Sequence, residues 1–343
     1  METSNWNHWD KFAEFCLWEM NSGGPDPQIP LVGKMSENKT LIEKRWRAGM
    51  YVSVYNVPFA EVIWNHWSYI DMQEHSQDLL LWLQDNWSGI VTRFERRTAR
   101  RPEWMHEYIM SYFNFIHDGI LDTAIHETRN MSPEERYIHF WDLTIKELHR
   151  FGRYVALKLL EAYRLYCNIN LIAPDIRPKD AWSPRITLGE LFPSYQNQMN
   201  SKDNRYNDVV NQVVEEALTM LWNGYDIKMD KFQLQVALCE YRESYHSKKQ
   251  YPGRSHDSEL GYWNKAHTLW GNEYKSIMFE IRKQIFPNQH LGEIQGWDGP
   301  RKECGLVLAT HGYTWTDILF DYNRSMPNMS KPIWRMITQP YEA

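Results

Sequence analysis

The sequence predicts a mainly α, multi-helix globular fold, and three observations carry that expectation. Apolar residues recur at helical three- and four-residue spacing along most of the chain, strand-like alternation is confined to two short runs, and turn-forming clusters punctuate the periodic segments. A 343-residue chain with 43% hydrophobic residues can bury a substantial core, so disorder is not the default. Its seventeen Trp and twenty Tyr often stand beside charged residues, which gives them two readings, a thick aromatic core or stacking surfaces for bases.

Taken in order, residues 6–20 are expected to form a helix packed on the main body, closed by the turn-rich stretch Asn21-Ser22-Gly23-Gly24-Pro25-Asp26-Pro27. Residues 41–67 read as helix, a turn near Asn56-Val57-Pro58, then helix again, although 50–55 also alternates like a strand. Residues 75–87 read as an amphipathic helix closed by Ser88-Gly89, and Pro102 should end or restart a helix. Ser132-Pro133-Glu134-Glu135 has the form of a capping box with proline at the first helical position, ahead of a helix presenting Tyr137, Trp141, Thr144 and Leu148 on one face.

Residues 151–161 form a further helix, with Val155, Leu159, Ala162 and Tyr166 inward, Lys158 and Glu161 on another face, and Gly152 permitting close backbone approach. A loop bearing Asp175, Arg177, Asp180, Trp182 and Arg185 follows, then a connector at 188–193 and a polar exposed loop at 196–207. The strongest periodicity of the chain, Val209 to Leu221, marks a core helix. Helices at 230–245, with Leu234, Leu238 and Tyr241 inward, and at 262–286 come next, and 305–309 is the second strand-like run. The expected organisation is an N-terminal helix and linker (1–40), a helical catalytic domain (41–290) and a C-terminal extension packed on the core (291–343).

Composition narrows the function classes. A net charge of −6 argues against bulk coating of nucleic acid and leaves local basic patches. Cys16, Cys167, Cys239 and Cys304 are scattered without a Cys-x-x-Cys pair, which favours reduced thiols. No run approaches the ~20 apolar residues of a membrane span, and the N-terminus lacks a basic region followed by an apolar one, so a cytoplasmic protein without a membrane partner is expected. The thirteen histidines show no metal spacing, and Walker and Gly-x-Gly-x-x-Gly loops are missing, so neither a metal nor another cofactor is expected.

Several constellations can carry chemistry. Arg93, Arg96, Arg97, Arg100 and Arg101 recur at spacings that would put most of them on one helical side, either a phosphate-tracking stripe or a solvated face. Tyr251-Pro252-Gly253-Arg254 is a tight turn that would project a guanidinium suited to phosphate or pyrophosphate, or to an ion pair with Asp257 or Glu259. Glu161, Asp180, Glu240 and Asp257 are the carboxylates nearest these basic groups, candidates to deprotonate an amine or water. Cys239 is either a nucleophile or a buried thiol. Lys158 and Arg242 belong to the same two clusters as candidate substrate contacts.

Phe151-Gly152-Arg153-Tyr154 with Lys158-Leu159-Leu160-Glu161, the loop Asp180-Ala181-Trp182-Ser183-Pro184-Arg185, and Leu238-Cys239-Glu240-Tyr241 ahead of Tyr251-Pro252-Gly253-Arg254 resemble the phage alpha-glutamyl/putrescinyl thymine pyrophosphorylase group, the amino acid:DNA transferases, over roughly residues 45–290. That family is distantly similar to helical DNA glycosylases, although no helix-hairpin-helix signature with its aspartate stands in this sequence. The resemblance implies a base-hypermodification transferase in a phage-infected cell: 5-hydroxymethyluracil activated as its pyrophosphate loses pyrophosphate to an amino acid or polyamine. It implies Arg153, Arg185 and Arg254 as clamps on the pyrophosphate, Trp182 as a stacking surface for the extruded base, and DNA and a small amine as partners. A glycosylase-like excision enzyme and a non-catalytic nucleic-acid-binding protein are the alternatives.

Overall fold

The computed structural model describes residues 8–21, 26, 28–87, 101–177, 179 and 181–242. These form two compact units, one drawn from 28–174 and the other from 8–26 with 175–242. Among the described residues all regular structure is helical, so the mainly α expectation holds. In chain order α1 (His8–Asn21) belongs to the second unit.

The first unit contains α2 (Gln28–Met35), α3 (Leu41–Val54), α4 (Val57–His66), α5 (Tyr69–His75), α6 (Leu79–Asn86), α7 (Pro102–His117), α8 (Ile120–Glu127), α9 (Pro133–Glu147) and α10 (Arg153–Tyr166). Local chemistry sets many of the starts. The Asn56 side chain accepts from the Phe59 amide at 3.2 Å to open α4. Ser132 and Glu135 exchange hydrogen bonds of 3.2 and 2.9 Å, the expected capping box, with Pro133 just inside α9. Pro102 opens α7, and Tyr137, Trp141, Thr144 and Leu148 are all buried.

At the centre of this unit α3 and α7 approach through a glycine. A Cβ on Gly49 would lie 1.9 Å from Tyr112 Cε1, so only hydrogen leaves room for that ring. The Tyr112 hydroxyl donates to the Arg45 carbonyl at 2.6 Å and lies 3.0 Å from the Tyr163 hydroxyl of α10. Its ring stacks on Phe151, with centroids 6.3 Å apart. Three helices are thereby locked around one aromatic side chain whose polar end is satisfied.

The second unit joins α1 to α11 (Trp182–Leu191), α12 (Gln196–Met199), α13 (Asn207–Tyr225) and α14 (Lys231–Arg242). The apolar stripe Val210, Val213, Val214, Ala217 and Leu221 of α13 faces its core, as do Leu234, Leu238 and Tyr241 of α14. The Trp9 indole donates to the Leu191 carbonyl at 3.0 Å, and the Thr187 hydroxyl donates to the Leu238 carbonyl at 3.0 Å. Tyr241 meets Phe12 and Phe15 of α1 edge-on, at 5.1 and 5.6 Å.

Several local expectations are corrected. Residues 50–55 are the end of α3 and its left-handed C-cap, Tyr55, not a strand. A short stretch buried on every side carries no period that separates helix from strand. Residues 75–87 break into α5, a 3-10 turn at Ser76–Asp78, and α6. Trp182 and Arg185 lie on a helix, not a loop, because Pro184 falls in its first turn, where its missing N–H has no helical partner to lose. That helix runs through Leu191 and absorbs most of the expected connector. Within 196–207, α12 buries Met199 completely, so this segment is not a simple exposed loop. Lys158 and Glu161, on a face apart from the inward stripe, are buried as well, since α10 is enclosed on nearly all sides. A Cβ on Gly152 would meet nothing within 4 Å, so this residue serves as the extended N-cap of α10 and not as a close-approach point. The expected helix at 262–286 and the run at 305–309 lie outside the described residues.

Candidate functional site

The sequence-derived candidates divide between the two units. In the first, Arg153, Lys158 and Glu161 share α10. The Lys158 ammonium lies over the Tyr154 ring at 5.3 Å, and the Tyr154 hydroxyl is hydrogen-bonded to that of Tyr55. Arg164, one turn beyond Glu161, donates to both of its carboxylate oxygens, through Nε at 2.9 Å and through its terminal nitrogen. A forked guanidinium–carboxylate pair of this kind fixes the carboxylate in place. Arg101 stands exposed at the extended N-cap of α7, and its guanidinium and that of Arg150 lie 5.0 and 5.1 Å from the centroid of the Trp104 ring. Arg93, Arg96, Arg97 and Arg100 lie outside the described residues.

In the second unit Trp182 and Arg185 of α11 and Glu240 and Arg242 of α14 come from two helices that pack together through Thr187 and Leu238. Trp182 is the first residue of its helix and remains 40% exposed, with the Lys202 ammonium over its indole at 5.4 Å. Arg185 turns the other way. It is buried, and its guanidinium donates to the carbonyls of Gln198, at 2.9 Å, and Ser201. Asp180, Tyr251, Arg254 and Asp257 lie outside the described residues.

One buried carboxylate of this unit lies outside the sequence-derived candidates. Glu19, on the α1 face that also carries Phe12, Phe15 and Cys16, is buried in the core side of the helix. Burial holds its carboxyl well above the usual carboxylate range, and the charges of Glu240 and Asp26 push it further in the same direction. The two carboxyls thus stand in unlike environments, Glu19 buried on α1 and Glu240 partly exposed on α14. A signal for Glu19 did exist, since it stands at positions i+3, i+4 and i+7 from Cys16, Phe15 and Phe12, a carboxylate inside an apolar stripe. Asp26 had no such signal, because it sits in a turn-rich segment. The buried thiols are less suited to chemistry: desolvation raises Cys16 well above its ordinary value and Cys167 to about 12.

Among the described residues no group of three or more His, Cys, Asp or Glu side chains is arranged to hold a metal ion, and no helix is long and apolar enough to cross a membrane. Residues 45–250 match the model of a family described as Amino acid:DNA transferase. That span takes in α3 from Arg45 onward and every later helix among the described residues, while α1, α2 and Glu19 lie ahead of it. No curated protein and no solved structure matches the chain.

Proposed function

Because the chain belongs to the amino acid:DNA transferase family, we propose that it replaces pyrophosphate on an activated 5-hydroxymethyluracil in DNA with the amino group of an amino acid or polyamine. The family match over residues 45–250 carries the reaction class, amino acid transfer onto DNA. The local motifs around Trp182 and Glu240, both inside that span, support the finer reading. In the proposed step the amine nitrogen forms a bond to the C5 methylene carbon, the carbon–oxygen bond to pyrophosphate breaks, and pyrophosphate departs with the electron pair. The proton lost from nitrogen passes to a carboxylate.

Glu240 is the carboxylate we favour for that proton. Glu161 is engaged by both arms of Arg164, and Glu240 is partly exposed on α14, inside the matched span and close enough to the buried Glu19 for its charge to raise that carboxyl. A base within a duplex is out of reach of such a group, so the target nucleotide is expected to be extruded and supported by an aromatic face, for which the exposed Trp182 indole is suited. The phage setting follows from the same reading.

The test is direct. DNA carrying pyrophosphorylated 5-hydroxymethyluracil is incubated with the protein and a pool of glutamate and polyamines, then digested to nucleosides whose masses are read. An amine-bearing nucleoside with released pyrophosphate is expected, and Glu240→Gln should bind the DNA yet form little of that product. Abasic sites, or unmodified DNA throughout, would overturn the reading.

A further inference from the structure

The exposed indole of Trp182 does not stand alone. Lys202 is held over it by a short segment whose neighbours on both sides are pinned. On one side the buried Arg185 guanidinium donates to the carbonyls of Gln198 and Ser201, and the Ser201 amide closes onto the Gln198 carbonyl at 3.3 Å. On the other side Asp203 turns the chain: its amide donates to the Ser201 hydroxyl at 3.1 Å, and its carboxylate accepts from the Arg205 amide at 2.9 Å and pairs with the Arg205 guanidinium at 2.6 Å. Gly189 lets this segment lie close to α11, since a Cβ there would come within 3.0 Å of Met199 Cβ. The first turn of α11 therefore presents a 40% exposed indole and an ammonium 5.4 Å from its centroid.

We propose that Trp182 and Lys202 form one nucleotide-binding platform, in which a base stacks on the indole while the ammonium moves from the ring to that nucleotide's phosphate, and that Arg185 is the positioning residue that holds Lys202 in range. The inference deepens the transfer reading and rests on it for the identity of the ligand as DNA. The physical grounds are separate from it. An exposed indole has a face that any base can cover, and a lysine is a mobile point charge suited to a phosphate oxygen. An ammonium resting on the ring keeps that face from collapsing against the protein and exchanges a modest cation–π contact for a phosphate contact when DNA arrives. Arg185, facing away into two backbone carbonyls, is placed to hold the segment that carries the cation rather than to meet the anion itself.

The experiment uses the full chain and a fluorescein-labelled single-stranded thymidine 12-mer, with binding followed by anisotropy between 50 and 200 mM NaCl. Lys202→Ala is expected to lower the slope of log affinity against log salt by about 0.7, the share of one phosphate on a single strand. Lys202→Arg should restore it. Trp182→Ala is expected to weaken binding roughly tenfold at every salt concentration with the slope nearly kept, and Trp182→Phe to recover part of the loss. Arg185→Met should reproduce the slope change of Lys202→Ala if the chain folds, and the two surface variants decide the matter if it does not. An unchanged slope and affinity in Lys202→Ala, even with lowered thermal stability, overturns the platform and leaves a purely structural contact. If wild-type protein forms the amine-bearing nucleoside while Lys202→Ala keeps its slope, the platform fails and the transfer reading stands. If no modified nucleoside forms but the slope change is present, the platform stands and the transfer reading fails.

Discussion

Gly49 offers the sharpest expected effect in the first unit, because a single methyl group there has nowhere to go. The Cβ of Gly49→Ala would sit 1.9, 2.0 and 2.4 Å from three carbons of the Tyr112 ring. Ordinary carbon–carbon contact is about 3.5–4.0 Å, so the ring would have to retreat by roughly 1.5–2 Å. Overpacking of that kind costs about 1–3 kcal/mol. The displaced hydroxyl would also weaken its bonds to the Arg45 carbonyl and the Tyr163 hydroxyl, at about 1 kcal/mol each. Against this, alanine is favoured over glycine inside a helix by about 1 kcal/mol. The net expectation is a loss of about 2–4 kcal/mol, a large share of the 5–15 kcal/mol by which domains are stable. Gly224, near the end of α13, is the control: a Cβ there meets nothing within 4 Å, so Gly224→Ala should be neutral or stabilising by up to about 1 kcal/mol. Urea unfolding followed by far-ultraviolet circular dichroism compares the two variants with the wild type. A Gly49→Ala protein as stable as the wild type, or a Gly224→Ala protein destabilised to the same degree, would refute the packing account.

Two further outcomes are expected. Because burial and the charges of Glu240 and Asp26 raise the Glu19 carboxyl in the folded state, its contribution is fully present below the unfolded carboxylate range and is lost as pH rises through the raised value. Glu19→Gln should therefore gain in melting temperature relative to the wild type as pH is taken from 5 to 8.5, and parallel curves for the two proteins would contradict this electrostatic picture. Ser132→Ala removes one half of the reciprocal cap on α9 and should cost about 1 kcal/mol, read from thermal or urea midpoints, with an unshifted midpoint counting against any energetic role for the cap.

Helices with one apolar face and a chemical start signal were legible. Ser132 to Glu147 carries a capping box and an inward stripe, and Val210 to Leu221 repeats at helical spacing, because local hydrogen bonding and side-chain period are properties of neighbouring residues. In helices enclosed on most sides the helix was legible but the extent of burial was not: residues 50–55 alternated like a strand as well, and Lys158 and Glu161, placed on a face apart from the inward stripe, are buried too, because burial depends on what packs against a residue from elsewhere in the chain. The loop expected around Trp182 and Arg185 is a helix instead, with Pro184 tolerated in its first turn.

The candidate site shows the same boundary. By itself the sequence determined the residue types: exposed-capable aromatics, arginines, and carboxylates gathered in motifs around residues 151–161, 180–185 and 238–242, with a resemblance that the family match bears out. Only the tertiary structure decided their conditions. It turned Arg185 into a buried tie for residues 198–201, set Lys202 over Trp182, and brought α1 against α14 so that Glu19 feels Glu240. A side chain's chemical identity is written locally, but its exposure, its hydrogen-bond partners and its proton affinity are set by groups distant in sequence, and these exist only once the helices have packed.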